Sequence, residues 1–173
     1  LWVEKAYYEW SVSAFQASLY GEAIEVLLDL VRSDVDLEEP GKVYTMLGEA
    51  FFANAEYTRA TQAFDEAEKV ADIDPALKRQ ARFQKAWILY RNQAYQQAQP
   101  IFEAVYAETP NSDVGREALF WSADSHYKMN QFSSAAQRFK IYTDNYPDSD
   151  MMGAALYSLG WSYFQMGQYD NAV

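Results

Sequence analysis

Cysteine is absent from this chain of 173 residues, which removes disulfides and thiolate metal sites while leaving the compartment open. One histidine, His126, leaves no second imidazole for a zinc site, and a packing role suits it better than that of ligand or base. Glycine and proline are scarce, at 7 and 5 residues, so there is little room for long loops. No glycine-rich phosphate loop or nucleophile elbow occurs. No run approaches the roughly 18–20 uninterrupted apolar residues of a membrane span. Leu1-Trp2-Val3-Glu4-Lys5 reads as folded sequence, not as a signal peptide. Basic residues are outnumbered, 14 against 25 acidic, for a net charge of −11. Such a surface repels nucleic acid phosphates and anionic lipid, so neither is expected as a partner. Carboxylates are numerous, yet no pair stands out for acid–base work. The chain reads as a non-enzyme without cofactor or metal.

What is present points to an ordered helical protein. Half of the residues are hydrophobic and 17% aromatic, far from the composition of disorder. Abundant Ala, Gln, Glu and Leu with few β-branched runs favours helix. The acidity is uneven: residues 1–40 hold nine acidic and two basic side chains, residues 79–115 three and four. Asp34, Asp36, Glu38 and Glu39 crowd one connection, a solvated linker in the first reading and a docking patch for a basic partner in the second.

One pattern repeats five times. Ala118-Leu119-Phe120-Trp121-Ser122-Ala123 and Ala155-Leu156-Tyr157-Ser158-Leu159-Gly160 coincide at an offset of 37, with copies starting near 4, 41, 79, 116 and 153. A fixed period of this length means stacked units, each too small to bury its apolar face alone. Each copy reads as two antiparallel helices. The A helices are expected over roughly 4–17, 41–54, 76–92, 113–129 and 150–166, and the B helices over roughly 20–33, 57–71, 95–108, 132–145 and from 169 onward. An aromatic opens each B helix (Tyr20, Tyr57, Tyr95, Phe132, Tyr169) and an alanine follows three residues later (Ala23, Ala60, Ala98, Ala135, Ala172). Connections are periodic too: Ser112 and Ser149, each after a proline, are placed to cap the next helix, and Asp74-Pro75 offers an acid cap with proline at the first helical position. Pro100, about five residues into its helix, predicts a slight kink or a delayed start. The fifth copy stops at Val173, so the reading expects one incomplete array cut from a longer protein, with self-association through its uncapped ends possible.

These residues resemble the tetratricopeptide repeat family. The last copy matches its pattern with Leu156, Leu159, Gly160, Tyr163, Gly167, Tyr169 and Ala172, the second with Tyr44, Leu47, Gly48, Phe51, Tyr57, Ala60 and Phe64. Phe102, Pro110, Phe139 and Pro147 complete it in the third and fourth. The first copy departs with Ser11 where glycine is usual, the third with Arg82 and Lys85 at apolar positions, which must snorkel or find carboxylates. The resemblance implies an all-α fold, a right-handed α-solenoid of antiparallel helix pairs. The extra residues per copy and the Tyr146-Pro147-Asp148-Ser149 connection are similar to the variant found in bacterial envelope proteins, the BamD and Tol–Pal-associated type. That implies a periplasmic or outer-membrane-associated location.

In the family the A helices line the concave face at positions 2, 5, 9 and 12. Position 12 holds Phe15, Phe52, Tyr90, Tyr127 and Phe164; position 5 adds Tyr8, Phe83, Phe120 and Tyr157, and position 9 Trp87 and Trp161. Packing accounts for most such ladders, but Trp87, Tyr90, Tyr127 and Trp161 are expected to reach solvent, where flat rings anchor a peptide or helix. Only Lys5 and Lys42 resemble the family's carboxylate clamp, which argues against a clamp co-chaperone. The function expected is a protein-interaction scaffold, with a carbohydrate-handling module of polysaccharide export or a rigid spacer as alternatives.

Overall fold

The computed structural model describes residues 2–33 and 35–172; Leu1, Asp34 of the acidic connection and Val173 at the end of the fifth copy lie outside the described residues. Among the described residues nine α-helices follow one another with no strand. They are α1 (Trp2–Gln16), α2 (Tyr20–Arg32), α3 (Pro40–Ala53), α4 (Tyr57–Lys69), α5 (Pro75–Arg91), α6 (Tyr95–Glu108), α7 (Asp113–Lys128), α8 (Phe132–Asn145) and α9 (Met152–Gln165), closed by a short 3-10 turn at Tyr169–Asn171. Odd-numbered helices are the A helices and even-numbered ones the B helices, an all-α array of helix pairs. Contacts divide it into two units, residues 1–81 and 82–173.

All five turns inside the pairs are built alike. Ser18, Ala55, Gln93, Asn130 and Gly167 take φ of 61, 62, 61, 59 and 71°. In each turn two amides reach back to the helix end: Glu56 N–H bonds Phe51 O at 2.8 Å and Ala55 N–H bonds Phe52 O at 3.0 Å, and the other four repeat this pattern. The left-handed residue thereby satisfies carbonyls the helix leaves open. Edge-on ring pairs then seal every turn: Phe15–Tyr20, Phe52–Tyr57, Tyr90–Tyr95, Tyr127–Phe132 and Phe164–Tyr169, with centroids 5.2–5.7 Å apart. That is why an aromatic opens each B helix. Ala23, Ala60, Ala98 and Ala135, three residues on, are wholly buried where the helices approach.

In unit 1, Leu27, Leu30, Val43, Leu47, Phe51 and Phe64 form the interior. Glu4 is buried among them, and its carboxylate accepts the amides of Glu38 at 2.8 Å and Glu39 at 3.0 Å ahead of α3. In unit 2, Phe83 meets Phe102 and Phe120 meets Phe139 edge-on at 5.6 and 5.5 Å, the centres of two linked clusters. Arg82 pairs with Glu108 at 2.6 Å and Lys85 also has a partner, so neither charge stands alone.

The connections follow the sequence reading with two corrections. Asp74 accepts the Ala76 amide at 2.6 Å with Pro75 opening α5, and Ser112 accepts the Gly115 amide at 3.0 Å. Ser149 does not cap its helix: α9 starts at Met152, two residues later than the expected 150, and Ser149 instead bonds Tyr142 Oη at 2.6 Å and the Met151 amide at 3.2 Å. The cause lies three residues on. A Cβ on Gly115 would stand 1.9 Å from the Thr109 carbonyl oxygen, so the tight turn requires glycine. Its counterpart is Met152, which carries the Cβ that this tight turn excludes. The second correction concerns Pro100: of the two outcomes expected there the delayed start does not occur, since α6 begins at Tyr95 and holds Pro100 inside it.

Candidate functional site

The aromatic positions of the A helices acquire their neighbours through a register that the repeat period does not give. Within a unit, consecutive A helices meet at an offset of 34 residues, about one turn short of 37. In unit 1 the Lys42 ammonium lies 4.7 Å from the Tyr8 ring centroid. In unit 2 Trp87 meets Trp121 at 5.0 Å, and the Tyr90 hydroxyl donates to the Asp124 carboxylate. Each pair links position n of one copy to position n−3 of the next.

This register gathers Trp87, Tyr90 and Trp121 into one cluster on α5 and α7. Tyr90 stands 5.8 Å from Trp87 and 5.1 Å from Trp121, ring to ring, and all three remain partly exposed. Burial, then the neighbouring Asp124, drives the Tyr90 hydroxyl far above the ordinary tyrosine range, so it stays a donor. Arg91 places its guanidinium carbon 5.9 Å from the Trp87 ring centre. Tyr127 is half-buried farther along α7, and α9 packs beside α7 carrying exposed Trp161 and Phe164. A cleft of about 360 Å³ on α9 is lined by Leu156, Tyr157, Gly160, Trp161, Phe164 and Ala172.

Two expected site residues change role. Phe83 and Phe120, only 7% and 5% exposed, belong to the core, because Phe102 and Phe139 of the following B helices cover them. Tyr157 occupies the same repeat position yet is 68% exposed, its ring meeting only Trp161 of its own helix, at 6.2 Å, among the described residues. Phe15 and Phe52 are half-buried and spend their edges on turn closure. Trp121, by contrast, was not among the expected groove residues. Its signal is its separation of 34 from Trp87, legible only once the helix register is known.

Unit 1 has a separate polar cleft of about 410 Å³, lined by Glu4, Lys5, Tyr8, Glu9, Glu38, Glu39, Lys42 and Val43. Burial pushes the Tyr8 hydroxyl up, against the opposing pull of Lys42. Glu49, which accepts from the Gln80 amide, is also raised by burial. His126 is half-buried with Nδ1 2.6 Å from Gln131 Oε1. Among the described residues no group of His, Cys, Asp and Glu is placed to hold a metal ion. No helix among them is long and apolar enough to cross a membrane.

Helix pairs in tandem, closed by left-handed turns and presenting aromatic A-helix faces, define a helical-repeat protein of the interaction type. A tetratricopeptide repeat model matches residues 8–77 and 45–113, and one for anaphase-promoting complex, cyclosome, subunit 3 matches residues 91–173. The chain belongs to the tetratricopeptide repeat family. Scaffolds of this type typically mediate protein–protein interactions and are generally non-enzymatic. No curated protein matches the chain. Among solved structures it is similar to MamA from Desulfovibrio magneticus RS-1, at 19% identity and TM-score 0.81 over 98% of this chain and 89% of that one. MamA AMB-1 gives 20% and 0.79, covering 98% and 86%, and apo RapI 12% and 0.81, covering 98% and 66%. At these identities the likeness is one of fold.

Proposed function

We propose that the chain is a scaffold that captures a peptide or helix of a protein partner on the aromatic face of α5, α7 and α9, within a bacterial envelope assembly. The observation that carries this reading is the position of Trp87, Tyr90 and Trp121 above a core already filled by Phe83, Phe102, Phe120 and Phe139. Large rings beyond what the interior needs, held against one another and still open to solvent, give contact area at low conformational cost. The envelope setting rests on the resemblance of the Tyr-Pro-Asp-Ser connection and the longer period to the BamD and Tol–Pal-associated type.

The test is a pull-down from bacterial envelope extract with the wild-type chain and a Tyr90→Ala, Tyr127→Ala, Trp161→Ala variant side by side. The expected result is a protein retained by wild type and lost from the variant, with helical circular dichroism preserved. Equal retention by a folded variant would remove the aromatic face from the function.

A further inference from the structure

The identity of the captured segment can be narrowed, given the aromatic face proposed above. We infer that Asp124 selects a partner segment carrying an arginine flanked by apolar residues, the guanidinium meeting the carboxylate beside the Trp87, Tyr90 and Trp121 rings.

Asp124 is the acidic member of a cluster that is otherwise Trp87, Tyr90 and Trp121 with Arg91 at its margin. It is partly buried, and its bonding partner among the described residues is the neutral Tyr90 hydroxyl. The other interhelical carboxylates of unit 2 have cations: Glu103 has Arg138 at 2.9 Å and Glu108 has Arg82 at 2.6 Å. A half-buried carboxylate without a counter-charge is costly to hold, and one hydroxyl offsets only part of that cost. A carboxylate accepts at up to about four lone-pair sites, so positions remain for a guanidinium fork after Tyr90 has donated. The rings favour the same ligand. Arginine stacks on indole and phenol faces, and Arg91 already lies over Trp87 at 5.9 Å. The chain's net charge of −11 draws cationic segments and disfavours acidic ones at long range. Apolar flanking residues follow from the exposed Trp161 and Phe164 on α9 beside α7.

The probes are three degenerate pools of twelve-residue peptides, built from Leu, Phe, Ala and Ser and identical except for a central arginine, norleucine or glutamate. Retention on immobilised chain is compared for wild type, Asp124→Asn and a control, Asp144→Asn, on the exposed surface of α8. Asparagine keeps an oxygen acceptor for Tyr90 and removes the charge; circular dichroism checks its fold. The expected wild-type ratio of arginine-pool to norleucine-pool retention is at least tenfold, falling below twofold in Asp124→Asn and holding in Asp144→Asn. A ratio near one in wild type, or one that persists in Asp124→Asn, overturns the role of Asp124. If the norleucine pool still binds wild type and is lost from the aromatic triple variant, the groove reading survives that failure. Binding of no pool to wild type overturns both.

Discussion

At the scale of single residues, the least comfortable positions are the left-handed ones. A side chain there sets Cβ against the following carbonyl, which costs about 1–2 kcal/mol, and glycine avoids this at some entropic expense. Ala55 at φ 62° and Gln93 at φ 61° carry that cost, whereas Asn130 at 59° is of a type that tolerates it. Ala55→Gly and Gln93→Gly should each stabilise by about 0.5–1 kcal/mol, Asn130→Gly should be near neutral, and Gly167→Ala should lose about 1 kcal/mol, all measurable by urea unfolding. A second residue-scale effect lies in Tyr146, whose hydroxyl donates to the Pro110 carbonyl at 2.5 Å. Burial first, then Tyr106, pushes its pKa up to about 12 from the ordinary 10.0. Since the folded state favours the neutral phenol, its contribution is complete below pH 10 and fades as pH rises toward 12. Tyr146→Phe should therefore lower Tm at pH 7 and flatten the alkaline fall in Tm between those limits. An unchanged alkaline profile would show that Tyr146 is not the titrating group.

At the scale of helices, close approach decides which positions tolerate change. A Cβ on Gly48 of α3 would come within 2.5 Å of Phe64 Cε1 of α4, a ring with no exposure and no free direction in which to yield. Gly48→Ala should cost about 1–3 kcal/mol by overpacking. Phe64→Leu, itself destabilising, should relieve part of that cost, so a double-mutant cycle should give a favourable coupling. Gly115 tests the connection: Gly115→Ala drives Cβ into the Thr109 carbonyl and removes the Ser112 cap, at a cost of about 2–3 kcal/mol. These elements also show what the sequence made legible. B-helix starts could be read because the same aromatic and alanine mark every turn, and local chemistry alone sets them. The start of α9 could not, because Ser149 repeats Ser112 while Met152 replaces the glycine that makes the cap possible. Nor could the burial of Phe83 and Phe120, or the place of Trp121. Those depend on which B helix covers an A helix and on the 34-residue register between A helices, neither of which the 37-residue period contains.

At the scale of the molecule, repetition limits how far a perturbation travels. Helix pairs in such an array touch their neighbours in sequence, so stability is nearly a sum of pair and interface contributions. The contacts divide accordingly, with Gly48 and Phe64 in one unit and Gly115 and Thr109 in the other. No partner is shared between the two sites, so the costs of Gly48→Ala and Gly115→Ala should add to within about 0.5 kcal/mol in the double variant. Native-state hydrogen exchange gives the sharper measurement, because local openings are seen directly. In Gly115→Ala, amides of α6 and α7 should exchange faster by the full destabilisation, while those of α3 and α4 keep wild-type protection. The reverse should hold for Gly48→Ala. Equal acceleration throughout either variant would instead make the 173 residues one cooperative block, and the additive description would fail. Locality also bears on binding: Gly48→Ala acts first on α3 and α4 and reaches the Trp87 face only through α5, whose Gln80 bonds Glu49, so it should weaken capture less than Gly115→Ala, which strains the helix that carries Trp121.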